Sequence, residues 1–154
     1  MRNSKNIRRK GFTLVELLIV IVVIGILSAM MMLSSTEATT SAKATAIVSN
    51  LRNMKTAALA YYADHPTADT FPTANSTDVI KYLKDGSTTL ETGYSFAGTT
   101  TWYATYEIQG TDTEKAQIKK KLAARAKQVG LCDGGTPAST DYTESMTKVG
   151  MFIR

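Results

Sequence analysis

Between residues 12 and 33 the chain is apolar at every position except Thr13, Glu16, Gly25 and Ser28. As a helix those 22 residues would span about 33 Å against a hydrocarbon core of roughly 30 Å, so the pattern predicts a membrane-crossing segment. Beyond it the pattern changes to one of period 3.6. Ala44, Ile47, Val48, Leu51, Met54, Ala58, Tyr61 and Tyr62 fall on one arc of about 140° at 100° per residue. Neither proline nor glycine interrupts residues 29–64, so the helix should continue to His65, where Pro66 disfavours helical geometry in the residue before it. The 52 residues from 13 to 64 would make a rod of about 78 Å. Its first half has to lie in lipid or a fibre core, and its second half needs a cap against its apolar arc. Lys55 lies inside that arc, where its stem must run along apolar surface or its amine must pair with an acid.

Residues 66–154 supply the cap. The stretch TADTFPTANSTD is rich in turn formers, and Asn75 or Ser76 would cap a short helix reaching about Lys84 before KDG ends it. YSF and TWYATYEI flank AGTT and read as an antiparallel hairpin. Trp102, Ala104, Tyr106 and Ile108 share one face, and Tyr103, Thr105 and Glu107 the other. Thr111 and Glu114 have the spacing of a capping box. They open a helix whose Ile118, Leu122, Ala126 and Val129 form a stripe and whose Gly130 closes it. MTKVGMFIR alternates as a last strand. The expected fold class is therefore α+β, a long N-terminal helix on a small antiparallel sheet.

Charge changes the picture at one place. The 154-residue chain carries +5 overall, which invites a nucleic-acid reading. Arg2, Lys5, Arg8, Arg9 and Lys10, with no acid among residues 1–11, account for all of it, and 13 bases and 13 acids remain. A basic flank before the apolar run holds that end in the cytoplasm and sends the remainder of the chain across the membrane. A secretory signal peptide fits less well, because the run exceeds the usual apolar region of about 7–15 residues, contains Glu16 and has no clear small-residue cleavage site after it. Glu16 is costly there, since insertion scales penalise an acid at the bilayer centre by about 2.5–3.5 kcal/mol; protonation or snorkelling to the headgroups is the simple answer.

The flanks favour another. RRKGFTLVELL resembles the class III signal of type IV prepilins and the related pseudopilins. The resemblance implies a pilin-like fold, cutting by a prepilin peptidase between Gly11 and Phe12, and N-methylation of Phe12, with Glu16 becoming the fifth residue. When such helices bundle, the Glu16 carboxylate of one subunit meets the Phe12 amine of its neighbour, so each charge gains a partner and the axial register is set. The implied organisation is a basic leader over 1–11 that is removed, a membrane or filament-core helix over 12–33, its amphipathic continuation over 34–64 and a head over 65–154. The implied function is a structural filament subunit, with a type II secretion pseudopilin or a DNA-uptake minor pilin as alternatives. The expected partners are copies of itself, the peptidase, an inner-membrane assembly platform and, before assembly, lipid. The precursor is expected in the bacterial inner membrane with its N-terminus cytoplasmic, and the product in a periplasmic or cell-surface filament. Two departures stand out: SAMMMLSS lacks the proline that often bends such helices, leaving Gly25 and Ser28 as the weak points, and lone Cys132 cannot close an intrachain disulfide. Met30, Met31 and Met32 read as flexible packing residues.

Other chemistry is thinly represented. Lys115, Lys119, Lys120, Lys121, Arg125 and Lys127 would carry any DNA contact, but they ring the helix without interleaved aromatics, and a solvated face is the favoured reading. DHPTAD and CDGGTPASTDYTE offer oxygen ligands for calcium without a recognised loop spacing. His65 is the only histidine, too little with Cys132 for a metal site. No cofactor is expected. With no phosphate loop and no nucleophile motif, an enzyme is not the expectation; the chain reads as the substrate of one, the peptidase.

Overall fold

The computed structural model describes residues 11–66, 77–83, 89–98, 101–135 and 140–154, leaving out the side chains of residues 32–34. The basic leader, the Asn75 or Ser76 cap, Lys84 with KDG, and Asp69 all lie outside the described residues. The chain divides into two compact units between Ala38 and Thr39, and helix α1 (Leu14–Asp64) contributes to both.

In the first unit α1 begins at Leu14, one residue after Thr13, and carries the apolar run. Phe12, Leu14 and the aliphatic residues through Met31 are exposed. No other helix among the described residues is long and apolar enough to cross a membrane.

The second unit, Thr39–Arg154, is a packed α+β structure. After α1 come α2 (Thr77–Ile80), β1 (Tyr94–Ala97), β2 (Tyr103–Glu107), α3 (Asp112–Val129), β3 (Leu131–Asp133) and β4 (Lys148–Phe152). The four strands form an antiparallel sheet in the order β1-β2-β4-β3. The arc expected on α1 is its buried face: Ala44, Ile47, Val48, Leu51, Met54 and Ala58 are in the core, with Tyr61 and Tyr62 packed partly against it. Thr40 is buried as well, and Ala57, beyond the arc's edge, is too. Ala57 is covered because Tyr82, Leu83, Leu90 and Tyr94 follow that side of α1 and bound a cavity of about 480 Å³ with it. Lys55 is half-buried, as its place inside the arc requires. The helix ends where Pro66 predicts, with the His65 amide donating to Tyr61 O at 3.0 Å.

The inner row of the sheet is Phe96, Ala104, Met151 and Leu131, paired in register and buried. Each such large aliphatic or aromatic side chain contributes roughly 1.5–3 kcal/mol on burial. The opposite row is small: Ser95, Thr105, Gly150 and Cys132. Thr105 is buried and joined to the Ser95 hydroxyl at 2.8 Å. Gly150 fits closely there, since a Cβ on it would lie 3.1 Å from Gly134 Cα and 3.4 Å from both Ala104 O and Cys132 Sγ. The chain leaving β3 crosses directly over it. Burial pushes the Cys132 thiol pKa up, in keeping with a packing role.

Trp102 is fully buried and held from two sides. Its amide donates to Arg154 O at 2.8 Å, and its carbonyl accepts from the Ile153 amide at 2.8 Å. The Arg154 guanidinium lies 4.0 Å from the Tyr62 ring centroid, and Tyr62 meets Trp102 edge-on at 5.6 Å. β4 is thereby fastened to the end of α1.

The hairpin, α3 and the last strand stand where the pattern places them. The short helix is shorter than expected: α2 stops at Ile80, and only turn bonds, Tyr82 N to Val79 O and Leu83 N to Ile80 O, carry on to Leu83. Strand β3 has no counterpart among the elements the pattern predicts.

Candidate functional site: the start of the N-terminal helix and the basic helix

Two groups of residues singled out by sequence lie on α1 and α3. Gly11 and Phe12 precede α1, and both are exposed, Phe12 to 88 %. Thr13 is the residue before the first helical turn. Its amide and its hydroxyl both donate to Glu16 Oε2 at 2.8 Å, while the Glu16 amide donates back to Thr13 Oγ1 at 3.2 Å. This is a reciprocal capping box, which satisfies amides that the first turn leaves without intrahelical partners. Glu16 also places negative charge at the positive end of the helix dipole. The carboxylate thus has an intrachain task in addition to the one expected of it. The signal was present in Thr-x-x-Glu over 13–16, the same spacing as Thr111–Glu114, but an acid in an apolar run draws attention to its charge before its spacing.

The second group lies on α3. Its N-cap is Thr111, with both bonds of the capping box to Glu114 present, and Gly130 closes it at φ 74° with its amide on Ala126 O. A left-handed closing residue of this kind favours glycine. Ile118, Leu122 and Ala126 face the core. Glu114 also receives Lys43 Nζ of α1 at 3.0 Å, and Arg125 Nη1 donates to Thr45 Oγ1 at 3.3 Å, so polar contacts hold α3 beside α1 at two points. The Lys43 hydrogen bond, then the bond from the Thr111 amide, lower the Glu114 pKa.

Around α3 the cations do not converge. Lys115, Lys119 and Lys121 are half-buried beside the apolar stripe, while Lys120 and Lys127 are exposed. Those two lie within about 20° of each other on the helix and face away from the core. No group of three or more His, Cys, Asp or Glu side chains converges among the described residues. His65 stacks on Tyr61 at 4.5 Å between ring centroids.

Geometry at the helix start thus joins a capped glutamate, an exposed aromatic residue, a preceding glycine and an exposed apolar helix. The sequence over residues 6–32 matches the prokaryotic N-terminal methylation motif. That match supports the prepilin-type pilin and pseudopilin family, a family of structural rather than catalytic proteins. The long helix with a small antiparallel sheet has the pilin-like layout, and the motif supports a type IV pilin- or pseudopilin-like subunit. The motif implies processing by a prepilin peptidase, and with the apolar helix it fits a precursor anchored in the inner membrane. No curated protein and no solved structure is a significant match to the chain.

Proposed function

We propose that the chain is the structural subunit of a type IV pilus-like filament. On this reading the basic leader is removed by cutting between Gly11 and Phe12, Phe12 is N-methylated, and residues 12–33 pass from the membrane into a helical filament core. Residues 34–64 continue the helix and carry the head. The observation that carries the reading is the exposed apolar helix opening on Thr13 and Glu16 inside the matched motif. Exposure of so many aliphatic side chains is unstable in water, and either lipid or neighbouring copies must cover them.

Glu16 serves two ends in this scheme. Both of its bonds to Thr13 use Oε2, and a carboxylate can accept on either oxygen. Oε1 is the atom that meets the Phe12 amine of a neighbouring copy, so the cap need not open when the subunits join. A copy out of register would leave a carboxylate and an amine unpaired in an apolar core, which is strongly unfavourable. The test is Glu16→Gln, whose amide oxygen can still accept from Thr13 but carries no charge. The expected chain is processed normally and forms no filament; filaments at the wild-type level would refute the role given to Glu16.

A further inference from the structure

Beyond the filament reading, on which it rests, a contact between heads is written in the charges of the second unit. Among residues 12–154 bases and acids balance at 13 each, but the two signs are set apart. From Lys115 to Lys127 there are six cations and no acid. The ion pairs Lys43–Glu114, Lys81–Asp78 and Lys148–Glu107 use neither Lys120 nor Lys127. Several acids of the head already have an intrachain hydrogen-bond partner: Asp64 takes Tyr82, Glu91 takes Asn50, and Asp133 takes the Gly135 amide. Of the other exposed acids, Asp112 opens α3 itself, and Asp141 and Glu144 lie on the segment between β3 and β4.

Spacing permits the contact as well as sign. Lys120 and Lys127 are separated by two turns, about 10.5 Å along the helix axis. Asp141 and Glu144 are three residue steps apart, a span of at most about 10 Å. We infer that the Lys120–Lys127 face of α3 in one copy docks on Asp141 and Glu144 of a second copy of this chain.

The symmetry of a filament supports this choice of occupant. An isologous contact with its two-fold axis at α3 would lay α3 of one copy on α3 of the other and bring like charges together. A heterologous contact joins two different patches and extends without closing, which is what a fibre requires. Charges segregated on a chain whose total is zero after residue 11 give attraction at this one joint without net repulsion between heads.

Four chains test the contact: wild type, K120E/K127E, D141K/E144K, and the quadruple exchange. Processing is read by intact mass, head folding by circular dichroism, and assembly by filament yield in sheared fractions. Each half-exchange should be processed and folded but yield about tenfold less filament, because two attractive pairs become repulsive. The quadruple exchange should return to within about twofold of wild type. A half-exchange that assembles normally, or a quadruple exchange as poor as either half, overturns the contact while leaving the filament reading intact. A wild-type chain that is processed but forms no filament overturns both. Undiminished filament yield from K120E/K127E together with lost retention on a duplex oligonucleotide assigns the lysines to nucleic acid and likewise overturns the contact.

Discussion

Leu51 and Leu59 are the same residue on the same helix, eight positions apart, and they should behave very differently. Leu51 is 0 % exposed against the sheet-and-helix core, whereas Leu59 is 42 % exposed just outside the buried arc. Replacing a fully buried leucine with alanine removes its transfer energy and leaves a partly collapsed cavity, a cost of about 3 kcal/mol within a range of roughly 2.7–5. The compact unit from Thr39 to Arg154 has an unfolding entropy of about 0.24 kcal/mol/K at the usual value per residue, so Leu51→Ala should lower Tm by about 12 °C. Leu59→Ala, at a mostly solvated site, should cost under about 0.5 kcal/mol and shift Tm by less than about 2 °C. Trp102 is the single tryptophan and is fully buried, so its fluorescence reports head unfolding in full-length protein held in detergent micelles. Equal shifts for the two variants, or a Leu51→Ala shift below about 4 °C, would refute the assignment of the buried face.

Three further outcomes concern the head. The Glu114 pKa is lowered by Lys43 and Thr111 from an ordinary 4.5, so its contribution to stability is present above that value and is lost as pH falls through the lower folded-state pKa; Glu114→Gln should flatten the acid limb of a Tm-against-pH curve. Burial raises the Tyr94 and Tyr142 hydroxyls to about 12. Unfolded chains therefore ionise first, and stability should decline from about pH 10 to 12, less steeply in Tyr142→Phe, as followed by denaturant titration. Gly150→Ala places a methyl group 3.1 Å from Gly134 Cα and should cost about 1–3 kcal/mol by overpacking, measured as a lower urea midpoint at unchanged slope.

Long, strongly patterned elements were readable from residues alone. The α1 arc from Ala44 to Tyr62 is a sum of many small apolar preferences, and no single neighbour can overturn it. Thr111 with Glu114, and Gly130, marked both ends of α3 because capping is local chemistry. Strand β3 was hidden for the opposite reason: Leu131, Cys132 and Asp133 are too few to show alternation, and they become a strand only because Gly130 turns the chain onto β4. The row of Ser95, Thr105, Gly150 and Cys132 depends on a register set by pairing across four strands. At the N-terminal site the motif residues were legible one by one. Their geometry was not, since the Thr13–Glu16 box emerges only when the helix starts at Leu14.

The most direct test of the account is intact mass and N-terminal analysis of the chain from its native membrane, beside a Gly11→Leu variant. The wild-type chain should begin at methylated Phe12, with the variant uncut and absent from filaments. A wild-type chain that keeps its basic leader, or one cut after the apolar run, would contradict it.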